Sequence, residues 1–111
     1  MIPDYQTIML PLLKLTSDNK IHKFREVVDT LAESFKLTDT EKKELLPSGN
    51  QAIFDNRVGW ARFYLTKAGL LKSEKRGTHQ ITKQGLEFLK TNPKELRTKD
   101  LENFKVFRDF K

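Results

Sequence analysis

Between Gln51 and Thr82 (QAIFDNRVGWARFYLTKAGLLKSEKRGTHQIT), a helical pattern runs into a two-strand pattern with one glycine between them. Phe54, Val58, Ala61, Leu65 and Ala68 fall on one helical stripe, and Gly69 supplies the stop. Leu70–Lys75 and Thr78–Thr82 read as strands that turn at Arg76-Gly77. Thr82 then caps a helix over Lys83–Lys90 that packs through Leu86 and Leu89, and Asn92-Pro93 closes the compact part. With no linker between these pieces, any core that buries the helix stripe must also seat the hairpin. The remaining chain has to supply the other side of that core.

It has the patterns to do so. Tyr5, Ile8, Met9, Leu12, Leu13 and Leu15 recur with helical spacing after a Pro3-Asp4 start, with Pro11 expected to bend that helix. Ser17-Asp18-Asn19 is a turn cluster, and Lys20–Lys23 reads as a short strand closing the sheet. Phe24, Val27, Val28, Leu31, Ala32 and Phe35 make the cleanest amphipathic helix of the chain. A shorter helix is expected over Thr38–Leu46, since Thr38 and Glu41 have capping-box spacing; Pro47-Ser48-Gly49 ends it. Thr98–Lys111, with Leu101, Phe104, Phe107 and Phe110, reads as one further helix that docks on the domain, pairs with a second copy, or leads into a neighbouring domain. The expected fold class is α+β, mostly helical: a helix-turn-helix with a two- to three-stranded β-wing and a C-terminal helix. Residues 1–92 form the domain and 93–111 a helical tail or linker.

A chain of 111 residues supports one hydrophobic core. Its charge is uneven: residues 1–50 hold 7 Lys/Arg against 8 Asp/Glu, whereas residues 51–111 hold 14 against 7. A basic half this concentrated favours a polyanionic partner, because phosphate neutralisation releases counterions. The absence of cysteine excludes disulfides, thiolate catalysis and Cys-ligated zinc, and two histidines are too few for a His-rich metal site. The apolar run Ile8–Leu15 is broken by Pro11 and Lys14 and falls well short of the roughly 20 residues of a membrane span. Asp4 stands where a signal peptide would carry positive charge, so the cytoplasm is the expected compartment.

At about 100° per residue, Asp55, Asn56, Gly59, Phe63, Thr66 and Lys67 lie opposite the apolar stripe of the central helix, with Arg62 also outward. A helix presenting this face before a basic hairpin has the layout of a winged helix, whose third helix enters the major groove while the wing grips backbone. Asn50, Gln51 and Asn56 are then candidates for base or backbone hydrogen bonds, and Arg62 and Lys67 for phosphate. Lys72, Lys75, Arg76 and Lys83 are the wing candidates for phosphate, Arg76 also for the minor groove. Arg57 borders the stripe, where packing under Trp60 or pairing with an acidic helix residue is expected. Trp60 and Tyr64 read as core. Phe63 projects from the polar face, which marks contact with DNA, a partner, or the Phe-rich tail.

No catalytic constellation emerges. His79 reads as a strand residue on the face of Ile81. Pro3-Asp4 with Glu41-Lys42-Lys43 imitates the PD…ExK string of metal-dependent nucleases, but Glu41 and Lys43 fall on a helix, where positions two apart diverge. No cofactor and no metal are expected.

Several blocks together resemble a known family: Met9-Leu10-Pro11-Leu12-Leu13, Leu46-Pro47-Ser48-Gly49, Asn56-Arg57-Val58-Gly59-Trp60-Ala61, Tyr64-Leu65, Lys67-Ala68-Gly69-Leu70-Leu71, Arg76-Gly77, Ile81-Thr82 and Gly85. Over about residues 2–92 the chain resembles the N-terminal domain of Mrr-type restriction proteins, bacterial and archaeal enzymes that cut modified foreign DNA. The resemblance implies a winged-helix DNA-binding module. In that family it precedes a nuclease domain of the restriction-endonuclease fold, which is not among these residues. The expectation is therefore a non-enzymatic module for double-stranded DNA. The rivals are a stand-alone transcriptional regulator and a protein-interaction module in which Phe63, Phe104, Phe107 and Phe110 form a homodimer or partner surface.

Overall fold

The computed structural model describes all of residues 1–111. At its centre α4 (Ile53–Lys67) buries Phe54, Val58, Ala61 and Leu65, the stripe expected from spacing. Ala68 continues that stripe at the C-cap, and Gly69 takes the left-handed φ of +78° that lets the chain leave the helix. Against α4 lies α1 (Tyr5–Leu15), which contributes Ile8, Met9, Leu10, Leu12 and Leu13. Asp4 caps α1 by accepting the Thr7 N–H at 2.7 Å. Tyr5 of α1 and Tyr64 of α4 stack with centroids 5.2 Å apart, sealing one end of the interface. Burying the large side chains of these two helices, each worth roughly 1.5–3 kcal/mol, supplies a large share of the drive for folding.

After a 3₁₀ turn at Thr16–Asp18, β1 (His22–Lys23) passes directly into α2 (Phe24–Ser34), which buries Val27, Val28, Leu31 and Ala32. Next, α3 (Asp39–Lys43) starts in the expected capping box: Glu41 N–H donates to Thr38 Oγ1 and Thr38 N–H to Glu41 Oε1. It ends three residues sooner than the sequence suggests. Glu44 turns extended (ψ 125°), and its carbonyl accepts the Ile53 N–H. Leu45 then pairs with Ala52, and Leu46 N–H donates to Gln51 O. The Leu46–Gln51 loop is thus clipped at its base and delivers the chain to α4 at a set angle.

The sheet is antiparallel, in the order β1–β3–β2, with β2 at Leu71–Lys72 and β3 at Thr78–Ile81. Both strands beyond α4 are shorter than expected: β2 stops early because the hairpin tip bonds to itself, and β3 loses Thr82, which caps α5. Thr78 N–H and Oγ1 and Ser73 Oγ all donate to the Lys75 carbonyl, and Gly77 adopts a φ of +78°. Phe24 N–H donates to Gly77 O, tying the hairpin to the start of α2. His79, Ile81 and Leu71 face the core, whereas Lys72, Gln80, Thr78 and Lys23 belong to the solvent side.

Thr82 joins the sheet to α5 (Lys83–Leu89): its hydroxyl donates to Gly69 O and accepts the Gly85 N–H. The expected single helix over Thr98–Lys111 is instead a 3₁₀ turn at Thr98–Asn103 followed by α6 (Lys105–Phe110), with Phe104 extended between them. That break lets both halves reach the same core, since Leu96, Leu101 and Phe107 are all at most 1% exposed. Thr98 is also held to α1 through Tyr5 and Gln6. The fold is α+β and mostly helical, with a small three-stranded sheet. No helix is long and apolar enough to cross a membrane.

Candidate nucleic-acid interface

The α4 face opposite the core opens on a shallow pocket of about 280 Å³ lined by Gln51, Asn56, Gly59, Trp60, Arg62 and Phe63. Asn56 Nδ2 donates to Gln51 Oε1 at 3.2 Å, which leaves the Asn56 oxygen available as an acceptor and the Gln51 nitrogen as a donor. Arg62 is half-buried without a carboxylate partner, whereas Asp55 of the same helix is bound by Arg25 of α2 at 2.9 Å. This pair locks α2 to α4, and it holds the Arg25 guanidinium above its ordinary pKa through the Asp55 hydrogen bond. Asn50 is exposed in the clipped loop just before the helix.

At the hairpin, Lys75 and Arg76 are exposed at the turn, and neither forms an ion pair. Lys72 is tied to Glu74 at 3.1 Å, and shares a second surface pocket with Lys75, Ile21 and Gln80. Lys83 is exposed in the first turn of α5 and belongs to neither pocket. Lys67, the other phosphate candidate on α4, lays its ammonium over the rings of Phe63 and Phe110, at 5.5 and 5.1 Å from the centroids. So Gln51, Asn56 and Arg62 converge, Lys72 and Lys75 form a second group, and Lys67 sits with the aromatic cluster.

Three expectations about large side chains change. Trp60 is 49% exposed rather than core. It lies two residues past Val58, on the far side of the helix from the buried stripe, and the i, i+4 spacing to Tyr64 misleads because only Tyr64 borders that stripe. Arg57 is structural but pairs with no acid: its Nη1 donates to the carbonyls of Ile2 and Pro3, at 3.0 and 3.2 Å. Phe107, expected at a partner surface, is 1% exposed and packs against Tyr64 and Phe110 within this chain. Phe104 is half-buried, edge-on to Phe88, and Phe63 meets Phe110 of the Phe-rich tail, one of the contacts expected of it.

His79 is buried as its strand position suggests, and neither ring nitrogen finds a protein partner. Burial, with the positive charges of Arg62 and His22 adding to it, pushes its pKa down to about 4. His22, opposite it in the sheet, instead meets Asp18 at 2.8 Å and holds that carboxyl below its usual range.

A mostly helical α+β domain with polar amides, a free arginine and an aromatic on one helix face, beside a basic hairpin, is the class these features define. The chain belongs to the Mrr N-terminal domain family, whose sequence model matches residues 5–91. It is also similar to the type IV methyl-directed restriction enzyme EcoKMrr of Escherichia coli (strain K12), with 29% identity over 96 residues. That alignment takes in 86% of this chain and 31% of the enzyme, so the chain spans about a third of its relative's length. What the family match covers is a restriction-system N-terminal domain, not a catalytic one. No solved structure matches the chain.

Proposed function

We propose that this domain binds duplex DNA as a winged helix, with α4 in the major groove and the β2–β3 hairpin on the sugar–phosphate backbone. Gln51, Asn56 and Arg62 serve the groove, and Lys75 and Arg76 serve the backbone. The observation that carries the reading is the placement of unpaired polar groups. Arg62 on α4 has no carboxylate partner and shares its pocket with the bonded Gln51–Asn56 amides, and Lys75 and Arg76 are unpaired at the hairpin turn. The relative's methyl-directed restriction suggests the role: a cytoplasmic targeting module that recognises modified DNA for a nuclease carried on a separate domain. Pure domain incubated with Mg²⁺ and methylated plasmid should therefore leave it intact.

The test is a duplex titration across salt. Binding whose logarithm falls linearly with log salt, by roughly 0.9 per phosphate contacted, supports the reading; no binding at 50 mM salt overturns it. The rival reading, an interaction surface built from phenylalanines, is weakened because Phe63, Phe107 and Phe110 are spent largely on each other and on Tyr64.

A further inference from the structure

On the side of α1 away from α4, a cleft of about 270 Å³ opens between α1 and the segment that leads from α5 to the 3₁₀ turn at Thr98. α1 gives it Gln6, Leu10, Pro11 and Lys14, and the facing wall is Lys94, Glu95 and Arg97. Lys14 and Lys94 are exposed and form no ion pair. Arg97 reaches Glu95, the one carboxylate of the lining, at 3.5 Å. Three cations thus stand against one acid. Gln6 accepts the Thr98 N–H on its side-chain oxygen at 2.9 Å, which leaves its nitrogen available as a donor.

At about 100° per residue, Gln6, Leu10, Pro11 and Lys14 fall nearly opposite Tyr5, Ile8, Met9, Leu12 and Leu13, the side of α1 that packs inward and meets α4. Both helices therefore stand between the cleft and the outer face of α4. At about 10 Å of diameter each, they put roughly 20 Å of protein between the two surfaces. From Gln6 to Lys14 the cleft follows about 12 Å of helix, the rise of three to four nucleotides of one DNA strand.

We propose that this cleft binds the phosphodiester backbone of a second DNA segment, so that one copy of the domain bridges two duplexes. The first of these rests on the duplex-binding reading of α4 and the hairpin. Phosphate is the anion that the lining fits, because cations on both walls and an amide donor surround one position with N–H groups. The length of the cleft suits a chain of such groups rather than a single ion. A straight duplex seated on α4 lies on the other side of the molecule, so the backbone in the cleft belongs to another segment.

The experiment holds a short biotinylated duplex on beads, adds the domain, and measures how much of a free fluorescent duplex is retained. Salt is set at about 100 mM, where the screening length is about 10 Å. The unaltered protein should retain the second duplex. Lys14→Glu combined with Lys94→Glu should lower retention by about tenfold or more, the worth of one charged hydrogen bond. Affinity for the bead-bound duplex should stay within about twofold, since the altered charges lie two screening lengths from the outer face of α4. Circular dichroism verifies that the variant folds. Single-duplex binding without retention overturns the proposal alone, and so does retention that the variant leaves intact, which two associated copies of the chain would produce. If the variant loses the bead-bound duplex as well, the first duplex sits in the cleft and the two-duplex arrangement is overturned. Displacement of the fluorescent duplex by polyglutamate as readily as by unlabelled duplex of equal charge overturns the choice of phosphate and gives the cleft to an acidic protein. Absence of any duplex binding overturns both readings, so the two failures are distinct.

Discussion

The Phe110 ring of α6 meets the Phe63 ring of α4 edge-on, centroids 5.8 Å apart and planes at 75°. Lys67 lies over both, so α6 covers the outer face of α4 around Phe63 and Lys67. The N-terminal half, with Gln51, Asn56 and Trp60, is what remains for a ligand. α6 thereby sets the limits of the surface that α4 presents.

This arrangement separates two phenylalanines that look alike in sequence. Phe107→Ala removes a fully buried ring and should cost about 3–5 kcal/mol in urea unfolding. Phe110→Ala, at a residue that is 44% exposed, should cost only about 1 kcal/mol, the worth of an edge-to-face pair. Equal losses would mean that α6 does not dock as described.

Arg57→Ala should destabilise the domain by about 1.5–3 kcal/mol, the range for hydrogen bonds made by a charged group, because it releases the carbonyls of Ile2 and Pro3. The slope of DNA affinity against salt should stay as it was. A reduced slope with unaltered stability would instead make Arg57 a phosphate ligand.

Glycine placement gives a paired comparison. A Cβ at Gly85 would come within 2.4 Å of the Leu70 carbonyl and 2.6 Å of Ile81, so Gly85→Ala should cost about 1–3 kcal/mol by pushing α5 off the sheet. At Gly77 the space is open but φ is +78°, so Gly77→Ala should cost about 1–2 kcal/mol through backbone strain alone. Crystal structures of the two variants would tell them apart: α5 shifts in the first and stays in the second.

His79 predicts a pH dependence. Its folded pKa of about 4 lies below the ordinary 6.5, so between these values the unfolded chain takes up a proton that the folded chain refuses. Stability is fully present above pH 6.5, falls as pH drops toward 4, and then loses no more from this group. Asp4 and Asp18, whose folded pKa values are lowered from the ordinary 3.8, add their loss below that window, whereas Glu41, lowered from 4.5, begins to add its loss at the window's acid edge. Urea midpoints taken from pH 7.5 to 4 should fall for the unaltered protein and flatten for His79→Phe. A parallel fall in both would assign the effect elsewhere.

Lys75→Ala combined with Arg76→Ala should weaken duplex binding on all sequences alike and lower the salt slope by up to about 2, at roughly 0.9 per lost phosphate contact. An unchanged slope would move the hairpin off the DNA. Thermal midpoints should hardly change, since both side chains are free in solvent.

The features legible in the sequence are those settled within a few residues of themselves. The α4 stripe, the Thr38–Glu41 capping box, the Thr82 cap, the Gly77 turn and the inward-facing His79 each follow from helical or strand spacing and from side chains that reach their own backbone. The family resemblance was legible for a related reason, since it sits in those same blocks. Tertiary structure alone decided the rest, because the deciding partner lies far along the chain. Arg57 is claimed by Ile2 and Pro3, 55 and 54 residues away. α3 stops early because Glu44 and Leu45 are taken by Ile53 and Ala52. The last segment breaks at Phe104 so that Leu101 and Phe107 can both reach the core, a choice between rivals that helical periodicity scores equally. Trp60 faces outward because it lies on the far side of α4 from Phe54, Val58, Ala61 and Leu65, which fill the interior. An apolar residue's type marks it as a candidate for burial, and only the packed volume determines which candidates remain outside to meet a ligand.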